Sequence, residues 1–429
     1  MGVDLNLKKK QQKGLNMKKT SLILASALLA SAFVFAAPKK TSSFPKNFDP
    51  LVNAKKETTN YVELKRNKET GEVTVKYWVD RVMTPEEVEK TMEATPKVPR
   101  VKKTRHFLVW DRTEGFRHTD GIPALRTFLE CLEKKSNGKL AMHFTDDRKE
   151  FETLESLKKY DCVIINNCTG RFFESYRSVR EGLPGDNFQQ KKEAMTGDEK
   201  REDEKMNYVC RDNLIRYVAE GGGIMGAHAA CDAMDCRDNK HKLDEKSPEL
   251  IDILKKCDAW DDVKNEEKFS AYPVMMGGRF AGHPWGAGNK EETFIIEDPK
   301  HPIVKGIWAE DSFKLQDEIY TFIEAYGYDR NKQRILISID YDKSPLNDGA
   351  DPMTRTNRKN KDFGLVWVKE FGKGRIFYGA FGHRQDVYYR NPEVCEMYMR
   401  GLLFASGETK INKKDLKPLG EKKNPYYGK

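Results

Sequence analysis

GGGIMGAHAA, residues 221–230, holds a helix stop, an apolar strand and a histidine within one short stretch. Upstream of it, Asn207 to Ala219 has helical periodicity, and Gly221-Gly222-Gly223 ends that helix and turns the chain. Ile224 to Ala227 is apolar throughout, as a strand covered on both faces must be. His228 follows with no spacer. The pattern repeats outward from here. HFLVW (106–110), Leu140 to Phe144 and Cys162 to Asn166 read as buried strands. Thr119 to Lys134 reads as a helix through Ile122, Leu125, Phe128, Leu129 and Leu132, and Phe151 to Lys158 as a shorter one. Further strands are predicted over Thr293–Glu297, Arg334–Ile339, Gly364–Val368 and Arg375–Ala380, with a last helix over Pro392–Phe404. Apolar strands alternating with amphipathic helices predict an α/β fold with a doubly wound, mainly parallel sheet. In such sheets ligands bind beyond the carboxyl ends of the strands.

The segments around this domain read differently. Met17-Lys18-Lys19, the charge-free run Ser21 to Phe35 and the small residues before Pro38 form the three parts of a bacterial secretory signal peptide. Residues 1–36 are therefore an upstream extension and signal, and the chain is expected to be periplasmic or secreted. The apolar run is short for a membrane span, and no Cys precedes Cys131, so a lipidated cysteine is excluded. No stable membrane anchor is expected. Residues 37–104 read as a leader with a β-hairpin (Tyr61 to Met83, turning at 67–72), a short helix started by Thr84-Pro85, and a basic linker. The domain proper spans 105–407, with a charged insert at 170–206 and a long polar stretch at 232–268. Residues 408–429 form a basic tail.

The formal net charge is +9 over 429 residues, which by itself suggests an anionic partner. Its distribution removes that reading. Residues 106–407 carry 47 basic and 53 acidic side chains, so the domain is mildly acidic between basic ends. No nucleic-acid partner is expected. Eight Cys are too few for a disulfide scaffold, and Cys231 with Cys236 is the most plausible local pair. No GxGxxG occurs, so no nucleotide cofactor is expected, and neither GxSxG nor GxCxG is present.

Histidines mark the strand ends. His118 closes the loop after the first strand, in Gly115-Phe116-Arg117-His118; His228 follows the fourth, and His383 follows the Arg375–Ala380 strand. A doubly wound sheet would bring these three to one rim. His283, in GGRFAGHP, and Glu318, in LQDEIYTF, are further candidates beside the aromatics Phe280, Trp285 and Tyr320. Imidazoles and a carboxylate together suit acid–base chemistry or a divalent metal, and spacing alone does not choose between them. Aromatics beside polar groups suit sugar recognition, although core packing explains them equally well.

GFRH, VAEGGGIMGAHAA, GGRFAGHP, KHPIVKG, DEIY and GKGRIFYGAFGHR, in this order, resemble the ThuA-like family associated with trehalose utilisation. The resemblance covers roughly 105–407. It implies a flavodoxin-like fold related to class I glutamine amidotransferases, and a role in carbohydrate metabolism on a disaccharide, a glycoside or its keto derivative. Carried over by position, it implies Arg117, His118, His228, His283, Glu318 and His383 as site residues. In an enzyme using His/Glu acid–base chemistry, His228, His383 and Glu318 are the catalytic candidates, and Arg117, His118, His283 and Tyr320 the substrate-binding ones. His228 stands where amidotransferase relatives hold a cysteine nucleophile, which argues against glutamine hydrolysis. Two other readings stay open: a non-catalytic sugar-binding or scaffold protein, and a thiol hydrolase using Cys231. A homo-oligomer is compatible with all three.

Overall fold

The computed structural model describes residues 60–426, other than 67–72, 114–115, 174–196, 235–246, 264–270, 289–290, 325–326, 348–350, 357 and 359. The stretch read as a signal peptide, the leader up to residue 59, the hairpin turn at 67–72, the middle of the 170–206 insert and Cys236 lie outside the described residues. Strands β1 (Asn60–Arg66) and β2 (Val73–Val79) pair antiparallel. Helix α1 (Pro85–Ala94) opens with a reciprocal capping box between Thr84 and Glu87 and buries Val88 and Thr91.

The central sheet has nine strands. Its first half is built from β3 (Arg105–Trp110), β4 (Leu140–Thr145), β5 (Cys162–Asn166), β6 (Gly223–Ala227) and β13 (Gly374–Gly379), ordered β4-β3-β5-β6-β13 and parallel throughout. Numbered along the chain, this is the order 2-1-3-4-5 of doubly wound sheets. Strands β5 and β6 are buried at every position, which is why their sequences are apolar. Three long helices connect or flank these strands: α2 (Gly121–Lys135), α3 (Gly197–Ala219) and α5 (Pro392–Ala405). A shorter one, α4 (Pro248–Lys256), starts at the Ser247 cap.

The sheet departs from the mainly parallel expectation beyond β13. Strands β12 (Gly364–Phe371), β11 (Arg334–Ile339), β8 (Glu292–Ile296) and β9 (Ser312–Leu315) extend it in that order, all antiparallel. For the β12–β13 pair the reason is connection length. Only Gly372-Lys373 joins β12 to β13, and a parallel pair needs a crossover of a dozen residues or so. A separate pair, β7 (Phe280–Trp285) with β10 (Ile319–Phe322), runs antiparallel with Ile319 opposite Trp285.

Two segments differ from their sequence reading. Helix α3 begins at Gly197, so the charged run up to Met206 belongs to it rather than to an inserted loop. Asp198 and Glu199 sit in its first turn, where the helix dipole favours acids, and Arg201 pairs with Asp198. Residues 408–426 are not a loose tail. Glu408 takes Arg105 at 2.8 Å, Arg334 donates to the carbonyls of Lys414 and Lys417, and the Tyr426 hydroxyl donates to Asp340 at 2.7 Å. Among the described residues no helix is long and apolar enough to cross a membrane.

His301 fastens this C-terminal segment. Its Nε2–H donates to the Asp415 carbonyl at 3.0 Å, while Nδ1 accepts from the Ile303 amide at 3.3 Å, so the neutral ring is the one that fits. Burial, opposed by the nearby Asp298 charge, pulls its pKa from 6.5 down to about 4. Between these values the unfolded chain binds the proton and the folded one does not, so stability falls as pH falls through that window. Acidification from pH 6.5 to 4 should cost wild type roughly 2–3 kcal/mol more than a His301→Gln variant. Urea unfolding of both proteins across this range measures the difference.

Candidate functional site

The carboxyl ends of β3, β6 and β13 each deliver one histidine. His118 lies just before α2, and its carbonyl accepts from the Ile122 amide at 3.0 Å, starting that helix. His228 follows β6 with φ +43, a left-handed backbone that a non-glycine residue adopts only where its surroundings impose it. Those surroundings are visible: the Tyr378 hydroxyl donates to the His228 carbonyl at 2.6 Å, and the His228 Nδ1–H donates to the Ala380 carbonyl at 2.9 Å. Gly226 lets Met276, Ala230 and Tyr378 pack closely beside the turn, where a Cβ would lie 2.5–3.1 Å from their side chains. His383 follows Gly382, whose φ of +114 and lack of a Cβ let the loop pass the Tyr388 hydroxyl.

Glu318, at the start of β10, meets all three imidazoles. Its Oε2 lies 3.0 Å from His383 Nδ1, 3.3 Å from His228 Nε2 and 4.0 Å from His118 Nε2. The four candidate ligand atoms lie within 4.8 Å of one another. His283, on β7, approaches from the open side, with Nδ1 3.7 Å from Glu318 Oε1. The Tyr320 hydroxyl is 3.2 Å from His118 Nε2, and its ring centroid lies 4.3 Å from that of His228. The small β7–β10 sheet therefore supplies a carboxylate, an imidazole and a phenol to the rim of the large one.

The electrostatics follow from burial and proximity. Burial pushes the Glu318 carboxyl up, but His228 and His383 outweigh it and hold it far below the usual carboxylate range. Burial pulls His118 well below 6.5, and the neighbouring His228 and His383 add to this. His383 is lowered by burial, yet Glu318 more than reverses that and leaves it raised.

Pairwise hydrogen bonds do not account for the cluster. His228 Nε2 and His383 Nδ1 are buried without a hydrogen bond of good geometry, despite their closeness to Glu318. Because His228 Nδ1–H is committed to Ala380, the neutral ring presents a lone pair from Nε2 toward a carboxylate oxygen. Two lone pairs facing each other repel unless a proton or a cation lies between them. Three imidazole nitrogens and one carboxylate oxygen are also a donor set suited to zinc-type divalent ions. The residues present thus fit a metal.

Of the residues singled out in the sequence, His118, His228, His283, Glu318, Tyr320 and His383 come together. Arg117 does not join them. Its guanidinium turns inward and forms a bidentate pair with Asp80 at 2.7 and 2.6 Å, and donates to the Asp111 carbonyl. It is 1% exposed, so it anchors the segment before α1 rather than offering a charge to a substrate. Tyr320 is likewise buried, at 3% exposure, which makes it a partner of His118 and not an open platform. Cys231 is a buried free thiol whose pKa burial raises well above 9.0, which removes the thiolate that a hydrolase would need.

One residue that sequence reading left in the background is Asp317. It is fully buried, and its two oxygens accept from the amides of Gly382 (2.6 Å) and Arg384 (2.9 Å), on either side of His383. Its neighbour Glu318 reaches the His383 ring itself. The Asp317-Glu318 pair thus grips one loop by backbone and side chain, a role that two adjacent acids in an extended segment could have suggested.

Residues 258–405 match the family model ThuA, described as trehalose utilisation. This stretch holds His283, Asp317, Glu318 and His383; His118 and His228 lie before it. A solved ThuA-like protein of Bacteroides uniformis is 16% identical, with 72% of this chain and 95% of that one covered and a TM-score of 0.42. One from Parabacteroides merdae is 18% identical, covering 74% and 96%, with a TM-score of 0.36. The search of curated proteins found no match.

Proposed function

We propose that this chain, whose residues 258–405 match the ThuA family model, acts on a disaccharide, a glycoside or its keto derivative at a divalent-metal centre formed by His118, His228, His383 and Glu318. The observation that carries this reading is the convergence of three imidazoles and one carboxylate, with His228 Nε2 and His383 Nδ1 buried against Glu318 without a hydrogen bond. A divalent ion held there supplies Lewis-acid polarisation of a substrate oxygen. The remaining roles fall to the chain. His228 is wholly buried, so it serves as a ligand fixed by Ala380 rather than as a group that exchanges protons with a substrate. His283, with its side chain 39% exposed and beside Glu318, is the residue able to hold or deliver a proton at Nδ1. The Tyr320 hydroxyl lies beside the His118 Nε2 that would face the ion, and so belongs to the wall of the site. The amidotransferase-like kinship suggested by the sequence fits this division, because His228 takes the place of a nucleophile. The export signal read at residues 17–36 would put this activity outside the cytoplasm.

The test is turnover of trehalose, other disaccharides and their keto derivatives by the full chain, before and after chelation and after zinc is restored. Product that disappears on chelation and returns with zinc is expected. Product formation indifferent to chelation would remove the metal from the reading. Saturable sugar binding with no product would favour the non-catalytic sugar-binding alternative.

A further inference from the structure

Among the described residues, exposure is uneven across the site. The side chains of His118 and His228 are buried, at 1% and 0% exposure, whereas those of His383 and His283 are 19% and 39% exposed. An aromatic ring accompanies each of these two imidazoles at the mouth. Phe280 lies nearly parallel to His283, with centroids 6.0 Å apart at 25°. Phe116 lies nearly parallel to His383, at 6.4 Å and 23°, and meets His118 edge-on at 4.9 Å.

Phe116 is unusual in its exposure. At 50% it is one of only two large apolar side chains exposed among the described residues, the other being Leu346. Single exposed apolar residues are ordinary on protein surfaces. This one, however, is held in place. Its carbonyl accepts from the Thr169 hydroxyl at 2.8 Å, and that hydroxyl is backed by Thr113 Oγ1 at 2.6 Å, so a threonine pair fixes the backbone that presents the ring. A fixed, half-exposed phenyl beside polar imidazoles and a carboxylate matches one ligand chemistry well. A pyranose has an apolar C–H face that packs on an aromatic ring, and a rim of hydroxyls that seeks polar partners.

We propose that Phe116 is the platform that receives the apolar face of a pyranose ring at the mouth of the His118–His228–His383–Glu318 cluster, and so selects for carbohydrate. This rests on the carbohydrate reading given above. The ring contributes to substrate affinity and leaves the cluster's own ligands in place.

The experiment is calorimetric titration of the zinc-loaded full chain with trehalose and with methyl α-D-glucopyranoside, for wild type, Phe116→Ala and Phe116→Trp, with metal content measured on each. The expected result is binding weakened about tenfold or more in Phe116→Ala and largely retained in Phe116→Trp, at unchanged metal content. Wild-type affinity in Phe116→Ala would overturn the platform while leaving the carbohydrate reading intact. Loss of metal from Phe116→Ala would make the residue a support of the cluster and also overturn it. Failure of wild type to bind either sugar would overturn the carbohydrate reading itself, and the platform with it.

Discussion

His228→Ala should abolish stoichiometric binding of a divalent metal while leaving the chain folded. His228 supplies the one ligand nitrogen whose direction is fixed on both sides: Ala380 holds Nδ1, and Nε2 faces Glu318 at 3.3 Å. Removing it deletes a donor and also the contact that stiffens the turn after β6. Loss of even an outer partner of a metal ligand commonly costs 10–100-fold in affinity, so loss of a ligand should cost more than about 100-fold. Metal analysis after equilibrium dialysis against micromolar zinc reads this directly. The left-handed backbone at His228 gives a second readout. Alanine there relieves no backbone strain, so the metal-free variant should gain little stability, and the stabilisation that zinc confers on wild type should be missing. A variant that still retains one zinc per chain would show that His228 is not a ligand.

Asp317→Ala should act on the same site from a distance. Its carboxylate satisfies two amides, and without it the Gly382 and Arg384 N–H groups lose their acceptors in a buried place. Leaving such donors unpaired costs about 1–3 kcal/mol, which denaturant unfolding would register. The more telling effect is on His383, which sits between those two amides. Zinc affinity should fall about 10–100-fold, as for other residues that orient a ligand. Asp317→Asn discriminates between the two effects. It keeps the shape but replaces one acceptor oxygen with a donor, so most of the loss in zinc affinity should remain while stability falls less. If both variants lose stability but bind zinc as wild type does, Asp317 is a structural residue with no part in positioning His383.

Much of this site is legible in the sequence because it follows from topology. Residues 224–227 are apolar since β6 is covered on both faces, and a histidine placed directly after such a strand must lie on the rim where ligands bind. The same reasoning reaches His118 after β3 and His383 after β13. It fails where the structure rests on contacts between distant residues or on side-chain direction. Arg117 adjoins His118, but nothing local reveals that its guanidinium faces Asp80. The β7–β10 pair is hidden because FAGHPW carries Gly282 and Pro284 inside a strand, where both are uncommon. The extra turns of α3 are hidden because a run of mixed charges reads as readily as a solvated loop. The antiparallel step from β13 to β12, by contrast, could have been deduced: two residues between β12 and β13 leave room for no other pairing of these neighbours.

The central claim is that His118, His228, His383 and Glu318 act together as one metal centre. X-ray absorption spectroscopy on the zinc-loaded full chain tests it most directly. The account predicts one zinc per chain with a nitrogen- and oxygen-only shell at about 2.0–2.1 Å and outer-shell scattering from three imidazoles, reduced to two in His383→Ala. A spectrum without imidazole scattering, or one that His383→Ala leaves unchanged, would contradict it.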